Sequence, residues 1–207
     1  MAVYMIADIR IINQQRYEEY RALVRDAIRQ HGGRYIARAS AVRVLEGNWA
    51  PPRIVIIEFP GMGDAHAFYK SPVYAKAREV CANAAMLDMV LVEGVADAPV
   101  ARQHTGTPAY LITDTKVINP ERFEEYRKFA AGGVSRAGGK YLVRDGQVEV
   151  LEGGWQPTRL AMVEFADIES VESRLDSDEF HAARDLRINA AMVDMIVVEG
   201  LPHGAEL

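Results

Sequence analysis

The chain contains nearly the same ten residues twice, and this repetition limits its possible folds more than any other feature. The stretch VLEGNWAPPR begins at Val44, and VLEGGWQPTR begins 106 positions later at Val150. When the chain is compared with itself at that offset, about 36 of about 91 positions match without a gap. A repeat of this length is much longer than the roughly 20–45 residues of a solenoid unit. The sequence therefore predicts two equivalent domains in tandem.

The predicted domain boundaries follow the limits of the repeat. Residues 1–95 form the first domain, residues 96–108 a linker, residues 109–201 the second domain and residues 202–207 a C-terminal tail. The linker reads ADAPVARQHTGTP, with two prolines, one glycine and no hydrophobic periodicity. Such a composition is typical of a surface connection between domains.

Each copy has the same order of predicted elements. A strand rich in β-forming residues is followed by Asn13 or Asn119, which predicts the N-cap of a long helix that ends at a pair of glycines. A strand, a turn and a further strand come next, and a second helical region and a last strand complete the order β-α-β-β-α-β of a ferredoxin-like α+β domain. Two such sheets, each with its helices on one side, can cover each other's open face. We therefore predict a dimeric α+β barrel formed within one chain.

Composition and charge narrow the classes of function. The 24 Lys and Arg against 29 Asp and Glu give a net charge of -5 with no basic block, so we expect no nucleic-acid partner. One cysteine, Cys81, excludes an intrachain disulfide and is typical of a reducing compartment, which predicts a cytoplasmic protein. We see no signal-peptide pattern and no apolar run near the roughly 18 residues of a membrane span, so we expect no membrane partner.

The sequence also predicts no metal site and no cofactor. The five histidines have no histidine counterpart in the other copy, and none belongs to a recognisable metal-binding spacing. A glycine-rich phosphate loop with its lysine is also missing from the sequence.

Polar residues recur at matching places on the predicted strands of both copies. Alternation along the first strand puts Asp8 on the same face as Tyr4, and we expect Asp8 and Arg38 to approach Glu58. Polar groups on central strands are costly unless they are paired or solvated, which predicts a wet or ligand-filled barrel interior. The second copy repeats these three residues as Asp114, Arg144 and Glu164.

These residues allow two interpretations. In the functional one, Arg38 or Arg144 anchors an anion, Glu58 or Glu164 transfers a proton, and Tyr35 or Tyr141 donates a proton in either copy. In the structural one, the Arg and Glu residues form salt bridges between strands and the tyrosines pack in the core.

Three further residues have two interpretations each. Arg187 falls on the apolar stripe of the second helical region, where it either contacts an anionic ligand or extends to solvent. Trp49 and Trp155 either plug the end of the barrel or form a cavity wall that stacks on a flat ligand.

The order of these motifs resembles the domain-of-unknown-function 1330 family over nearly the whole of both repeats. The motifs of the first copy are Gly32 to Arg38, Val42 to Arg53, Glu58-Phe59, Ser71 to Tyr74 and Val92 to Gly94. The resemblance implies a dimeric α+β barrel and no particular reaction. The family commonly has arginine in the second helix, where this chain has Arg187 in the second copy but Cys81 in the first.

Three hypotheses for function are consistent with these observations. The first is a cofactor-independent isomerase or lyase that acts on an anionic carbonyl metabolite in a barrel cavity. The second is a non-catalytic ligand-binding or assembly module, and the third is a cofactor-free monooxygenase-like or haem-using barrel. Similar barrels have many activities, so the fold does not choose among them. The expected partners are a small-molecule ligand and the other half of the same chain, with a further homodimer left open.

Overall fold

A computed structural model describes residues 1–96 and 106–202 of the chain. Most of the predicted linker, 96–108, and of the predicted tail, 202–207, lies outside the described residues. The elements of the first repeat are β1 (Val3–Ile11), α1 (Gln14–Gln30), β2 (Arg34–Ala39), β3 (Val42–Glu46), β4 (Ile54–Phe59), α2 (Met62–Tyr69), α3 (Pro72–Cys81) and β5 (Ala85–Glu93). Those of the second repeat are β6 (Ala109–Val117), α4 (Pro120–Arg136), β7 (Lys140–Arg144), β8 (Val148–Glu152), β9 (Leu160–Phe165), α5 (Ile168–Leu175), α6 (Asp178–Arg187) and β10 (Ala191–Glu199).

The long helices α1 and α4 begin where the sequence predicts. The side chain of Asn13 accepts a hydrogen bond of 3.1 Å from the backbone N–H of Arg16, and Asn119 accepts one of 3.1 Å from that of Arg122. Each bond satisfies one of the N–H groups that a helix leaves unpaired at its first turn. The predicted N-caps are therefore confirmed in both repeats.

The two repeats exchange one strand each. The first sheet has the order β2-β4-β1-β5-β8 and the second has the order β3-β10-β6-β9-β7, so that β8 and β3 each join the other repeat's sheet. All the neighbouring strands are antiparallel. The predicted order gave each repeat four strands, whereas the structure has five because β2 and β3 separate onto different sheets. The predicted barrel within one chain is confirmed, and the exchanged strands join its halves into an intrachain pseudo-dimer.

Three apolar cores hold this architecture together. One lies between the sheets and is filled by inward-facing side chains of both repeats, among them Tyr4, Ile56, Tyr110 and Met162. The other two lie between the outer face of each sheet and the helices of its repeat. Side chains of both sheets pack against one another in this interior, and the expected wet or ligand-filled interior stays a prediction. None of the helices within the described ranges is long and apolar enough to span a bilayer.

Candidate functional site

The expected cluster around Glu58 is not formed. In the register of β4, Glu58 lies opposite Tyr4 and Arg34, whereas Asp8 lies opposite Ile54 at the other end of β1. Glu58 accepts a hydrogen bond of 3.0 Å from the Tyr4 hydroxyl and pairs with Arg34 at 2.5 Å. The predicted approach of Asp8 and Arg38 to Glu58 is therefore wrong. Asp8 lies four positions along β1 from the residue opposite Glu58, and Arg38 lies opposite Val55.

The equivalent carboxylate of the second repeat is more deeply buried. Glu164 is 1% exposed and lies opposite Tyr110 on one side and Lys140 on the other. Tyr110 belongs to the core between the sheets, and directly opposed residues share a face of a sheet. Glu164 is therefore on the inner face of the barrel, and the predicted partner Arg144 is opposite Ala161 at the other end of the strand pair.

The two tryptophans close one side of the barrel by stacking on each other. The rings of Trp49 and Trp155 are 4.7 Å apart between centroids, with 25° between their planes. Trp49 donates its indole N–H to Asp8 at 3.3 Å, and Trp155 donates to Asp114 at 3.4 Å. Burial raises the pKa of both carboxyl groups, an effect that the indole hydrogen bonds oppose. These contacts favour the interpretation of the tryptophans as a plug.

Carboxylates of the opposite repeat hold each hairpin in place. Asp194 accepts hydrogen bonds from the backbone N–H groups of Asn48 at 2.6 Å and Trp49 at 3.0 Å. Asp88 makes the equivalent bonds to the second hairpin, of 2.5 and 2.9 Å. Gly47 has a φ of +83°, and a side chain there would collide with the Asp194 carboxylate. The repeated VLEG motif thus encodes a turn that each repeat presents to the other.

Tyr141 and Arg144 do meet, on the outer face of the second sheet. The register of β7 shifts between Tyr141 and Val143, so that Leu142 and Val143 both belong to the core between the sheets. This β-bulge brings residues three apart onto the same face, whereas an unbroken strand would place them on opposite faces. The guanidinium carbon of Arg144 lies 4.9 Å from the centroid of the Tyr141 ring. Tyr35 and Arg38 repeat the arrangement in the first repeat at 5.0 Å.

A cavity lies beside Tyr141 and Arg144, between the second sheet and the helices of its repeat. Its volume is about 90 Å³, which leaves room for roughly six to nine water molecules. Aliphatic and aromatic side chains form most of the wall, namely Leu111, Phe123, Tyr126, Ala130, Val134, Ala161, Val163, Phe180 and Met195. The charged residues of the wall are Arg127, Arg144, Asp145, Arg159 and Arg174. An apolar wall with a few polar groups is typical of a small-molecule site, although the volume is below the roughly 300–1,000 Å³ of most such pockets.

Two of the four arginines of this wall share one carboxylate. Asp145 pairs with both Arg127 and Arg159. Burial alone would raise the pKa of Asp145, but the hydrogen bonds and charges of Arg159 and Arg127 outweigh it and hold the pKa below its usual range. Arg127 also pairs with Glu124 at 3.0 Å, outside the cavity wall. These two arginines and two carboxylates therefore compensate one another.

Arg174 has no such partner. Its side chain comes from α5 and is 7% exposed, and in the part of the chain that the structure describes no carboxylate pairs with it. Its Nε atom is buried without a hydrogen bond, and its guanidinium carbon lies 5.6 Å from the centroid of the Phe180 ring. Burial lowers the pKa of this guanidinium. Arg174 is thus a buried cation that lines this cavity and forms no ion pair with a described residue. It also lines a surface depression together with Glu169 and Glu179.

A glycine in the last turn of α4 makes room for Arg174. A Cβ atom at Gly133 would lie 3.0 Å from Nη1 of Arg174 and 3.1 Å from Cδ of Glu179. The Glu179 carboxylate is engaged by Arg136. Glycine disfavours a helix interior by up to about 1 kcal/mol relative to alanine. The helix therefore accepts a less favourable residue where the guanidinium approaches its backbone.

The same space is filled in the first repeat. At the position of Arg174 the first repeat has Phe68, which is 1% exposed and contacts Tyr74 with 4.6 Å between ring centroids. Larger aliphatic residues replace smaller ones at three other wall positions, with Ile9 at the position of Thr115, Val24 at that of Ala130 and Val55 at that of Ala161. All of these first-repeat residues belong to the core between the first sheet and its helices.

Arg187 lies next to the cavity but is engaged elsewhere. It is 4% exposed and donates a hydrogen bond of 2.5 Å to Glu46, which belongs to the strand β3 contributed by the first repeat. Its guanidinium carbon also lies 5.6 Å from the centroid of the Tyr126 ring. Arg187 therefore does not extend to solvent, and its contacts place it as a link between the repeats and a support for one wall of the cavity.

Cys81 occupies the position of Arg187 in the first repeat. Burial, with a smaller effect of the Glu152 charge, raises the pKa of its thiol to about 11. The thiol is therefore protonated at neutral pH and has no nucleophilic character. Glu152 is the counterpart of Glu46, which binds Arg187. Glu152 instead accepts a hydrogen bond of 3.2 Å from the hydroxyl of Tyr74.

Sequence reasoning identified Tyr141 and Arg144 but missed Arg159, Asp145 and Arg174. The search followed residues that both repeats share, and Arg174 and Asp145 have Phe68 and Ala39 as their counterparts. The signal that would have found them is a charged residue in one copy opposite an apolar residue in the other. Among residues 1–96 and 106–202, no His, Cys, Asp and Glu side chains form a group of three or more that could hold a metal ion.

Comparison with known proteins agrees with the fold. The model of the family described as Domain of unknown function (DUF1330) matches residues 2–95 and again residues 108–201. No curated protein sequence matches the chain.

Among solved structures, two proteins described as putative monooxygenases are similar over the whole chain. The one from Fusobacterium nucleatum subsp. nucleatum is 11% identical, with 99% of this chain and 96% of that chain covered and a TM-score of 0.52. The one from Lactobacillus acidophilus is 12% identical, with 96% and 93% covered and a TM-score of 0.50. An anthrone oxidase-like protein is 10% identical, with 100% and 95% covered and a TM-score of 0.50. At these identities the likeness shows a shared fold and transfers no activity.

Proposed function

This chain belongs to the DUF1330 family as two copies of the domain in tandem, and we propose that its second copy binds a small organic anion in the cavity beside Arg174. The observation that carries the proposal is the buried guanidinium of Arg174, which lines that cavity and forms no ion pair with a described residue.

The physical argument is the cost of an isolated buried charge. Moving an ion from water into a protein interior costs several kcal/mol unless an opposite charge and hydrogen bonds compensate it. An anion in the cavity would supply both, because the planar guanidinium matches the geometry of a carboxylate or phosphate group. The aliphatic and aromatic wall, which includes Leu111, Phe123 and Val163, would contact the hydrocarbon part of the same ligand.

A binding function has more support than the isomerase or lyase hypothesis, which requires a base next to the ligand. Asp145 has a lowered pKa and is engaged by two arginines, so that it is a weak base. Burial raises the pKa of Tyr141, so its hydroxyl stays protonated at neutral pH and can donate a hydrogen bond. Glu58 and Glu164 do not line this cavity. In this proposal Tyr141 donates a hydrogen bond to an oxygen of the ligand, and any catalysis would begin with that contact.

The monooxygenase hypothesis draws on the fold alone. The similar structures described in those words are 11% and 12% identical to this chain, and no residue role passes from them to the cavity. We therefore derive no oxygenation step from the cavity residues.

Binding of benzoate, a small aromatic monoanion, tests the proposal. Titration by isothermal calorimetry should give saturable binding to the full chain, and Arg174→Met should weaken it at least tenfold because the buried cation is lost. Arg184→Met is the matched control, since Arg184 is an exposed arginine of α6 that does not line the cavity. Equal affinities of the two variants would contradict the proposal.

A further inference from the structure

The charges around the cavity leave two arginines uncompensated. Arg127 and Arg159 are engaged by Asp145, and Arg127 also by Glu124. No described carboxylate pairs with Arg144 or Arg174, although both line the same cavity. Two of the four arginines of the wall therefore have no ion-pair partner among the described residues.

The two uncompensated arginines differ in their surroundings. Arg174 is 7% exposed and approaches the backbone of α4 at Gly133. Arg144 is half-buried at the end of β7 and lies beside the ring of Tyr141. The charges of both arginines oppose the effect of burial on the pKa of Tyr141, which places its hydroxyl within the field of both. One ligand next to Tyr141 can therefore interact with both cations.

The first repeat lacks this combination. Arg38 corresponds to Arg144 and keeps its contact with Tyr35, but Phe68 replaces the second cation. Two like charges that face one cavity repel each other, and the repulsion is strongest where water is excluded. A single negative charge would leave one of the two arginines of the second repeat without a countercharge.

We infer that the ligand of the second repeat carries two negative charges, as a dicarboxylate or a phosphate monoester does, with Arg174 binding its buried end and Arg144 contributing from the end of β7. This inference rests on the proposed function, since it specifies the ligand class of the same cavity. A volume of about 90 Å³ holds only a few carbon atoms of such a ligand, so that a phenyl ring would extend beyond it.

Two pairs of compounds that differ mainly in charge test the inference. Phenyl phosphate and phenyl sulfate have nearly the same shape, but at pH 8 the phosphate carries two charges, since its second pKa is about 6. Succinate and its monomethyl ester provide the same contrast for carboxylates. We expect calorimetry of the full chain to show that the dianion of at least one pair binds ten or more times tighter than its monoanion. Comparing the two pairs then tells phosphate from dicarboxylate recognition.

Three variants assign the preference to residues. Arg144→Met and Arg174→Met should each reduce the preference for the dianion at least fivefold, whereas the exposed control Arg184→Met should leave it unchanged. Monoanions that bind as tightly as their dianions would overturn the inference and leave the proposed function standing. The absence of binding for all four compounds and for benzoate would overturn both. A dianion preference that survives in both cavity variants would also overturn the inference, because the charges would then act from elsewhere.

Discussion

The two repeats share a fold and a hairpin motif but differ in the space between sheet and helices. In the first repeat Phe68 and Tyr74 fill this space, at 1% and 0% exposure, and continue the core. In the second repeat Arg174 and Phe180 occupy the equivalent positions and line a cavity. The residues that the repeats share, such as the stacked tryptophans, hold the barrel together. The candidate site is encoded where the repeats differ.

The largest difference between the repeats is expected when the residues at positions 68 and 174 are exchanged. Phe68→Arg removes a fully buried ring and places a cation where Ala27, not glycine, faces it from α1, so we expect the free energy of unfolding to fall by about 3–5 kcal/mol. Arg174→Phe removes an uncompensated buried charge, so the free energy of unfolding should stay within about 1 kcal/mol of the wild type or rise. Urea denaturation of both variants measures the difference.

The double variant with both exchanges tests whether the two effects are independent. The two positions belong to separate cores, so the changes in the free energy of unfolding should add within about 0.5 kcal/mol. Benzoate binding should be lost with Arg174→Phe and with the double variant. If Arg174→Phe destabilised the chain as strongly as Phe68→Arg, Arg174 would be a structural residue with an unrecognised partner.

The fold was more predictable from the sequence than the site, for physical reasons that particular residues show. The repeat and the caps at Asn13 and Asn119 are local patterns, and they sufficed for the element order and the pairing of two halves. The separation of β2 from β3 is not local, because β3 pairs with β10 of the other repeat, where Asp194 also accepts hydrogen bonds from the turn after β3. Strict alternation also fails at the bulge after Tyr141, which turns Arg144 toward the helices.

The candidate residues show the same limit. Arg144 was selected for its chemistry, and the structure puts it in a cavity, but on the opposite face of the sheet from the predicted barrel interior. Glu164 was expected to approach Arg144 because their strands are neighbours; Glu164 lies on the inner face, whereas Arg144 is at the other end of the strand pair and on the outer face. Residue type could be read from the sequence, whereas the face that each residue occupies required the register of the sheet.

The glycine pair Gly132-Gly133 in α4 is a further difference between the repeats, because α1 has Asp26 and Ala27 at the equivalent positions. A Cβ at Gly132 would lie 3.2 Å from the guanidinium of Arg136, an exposed side chain that can move. Gly132→Ala should therefore raise the free energy of unfolding by up to about 1 kcal/mol and leave benzoate binding unchanged. Gly133→Ala should gain less and weaken binding several-fold, because its Cβ would displace Arg174.

These two variants control for each other, since both replace glycine by alanine in adjacent positions of one helix. Thermal unfolding and calorimetry on the same preparations separate helix stability from access of Arg174 to the ligand. Equal binding by both variants would show that the approach of Arg174 to the α4 backbone is irrelevant to the site.

The smallest effect is expected from Asp145, a charge that the first repeat replaces by Ala39. Arg159 and Arg127 lower the pKa of Asp145 in the folded chain below the usual 3.8. A depressed carboxyl pKa contributes stability above the unfolded pKa, and this contribution is lost as the pH falls through the folded value. Asp145→Asn should therefore lower the free energy of unfolding by about 0.5–1 kcal/mol at pH 7, as is typical of a partly exposed ion pair.

The choice of asparagine and the pH dependence make this measurement specific to charge. Asp145 has a φ of +61°, a left-handed conformation that asparagine also tolerates, so the backbone should not change. The difference from the wild type should be constant between pH 5 and pH 7, by the general linkage argument, and should disappear as the pH falls through the folded pKa of Asp145. Asp185→Asn, at an exposed position of α6, should show a smaller difference at pH 7. A difference for Asp145→Asn that persists at the lowest pH would mean that shape, and not the ion pairs with Arg127 and Arg159, explains its effect.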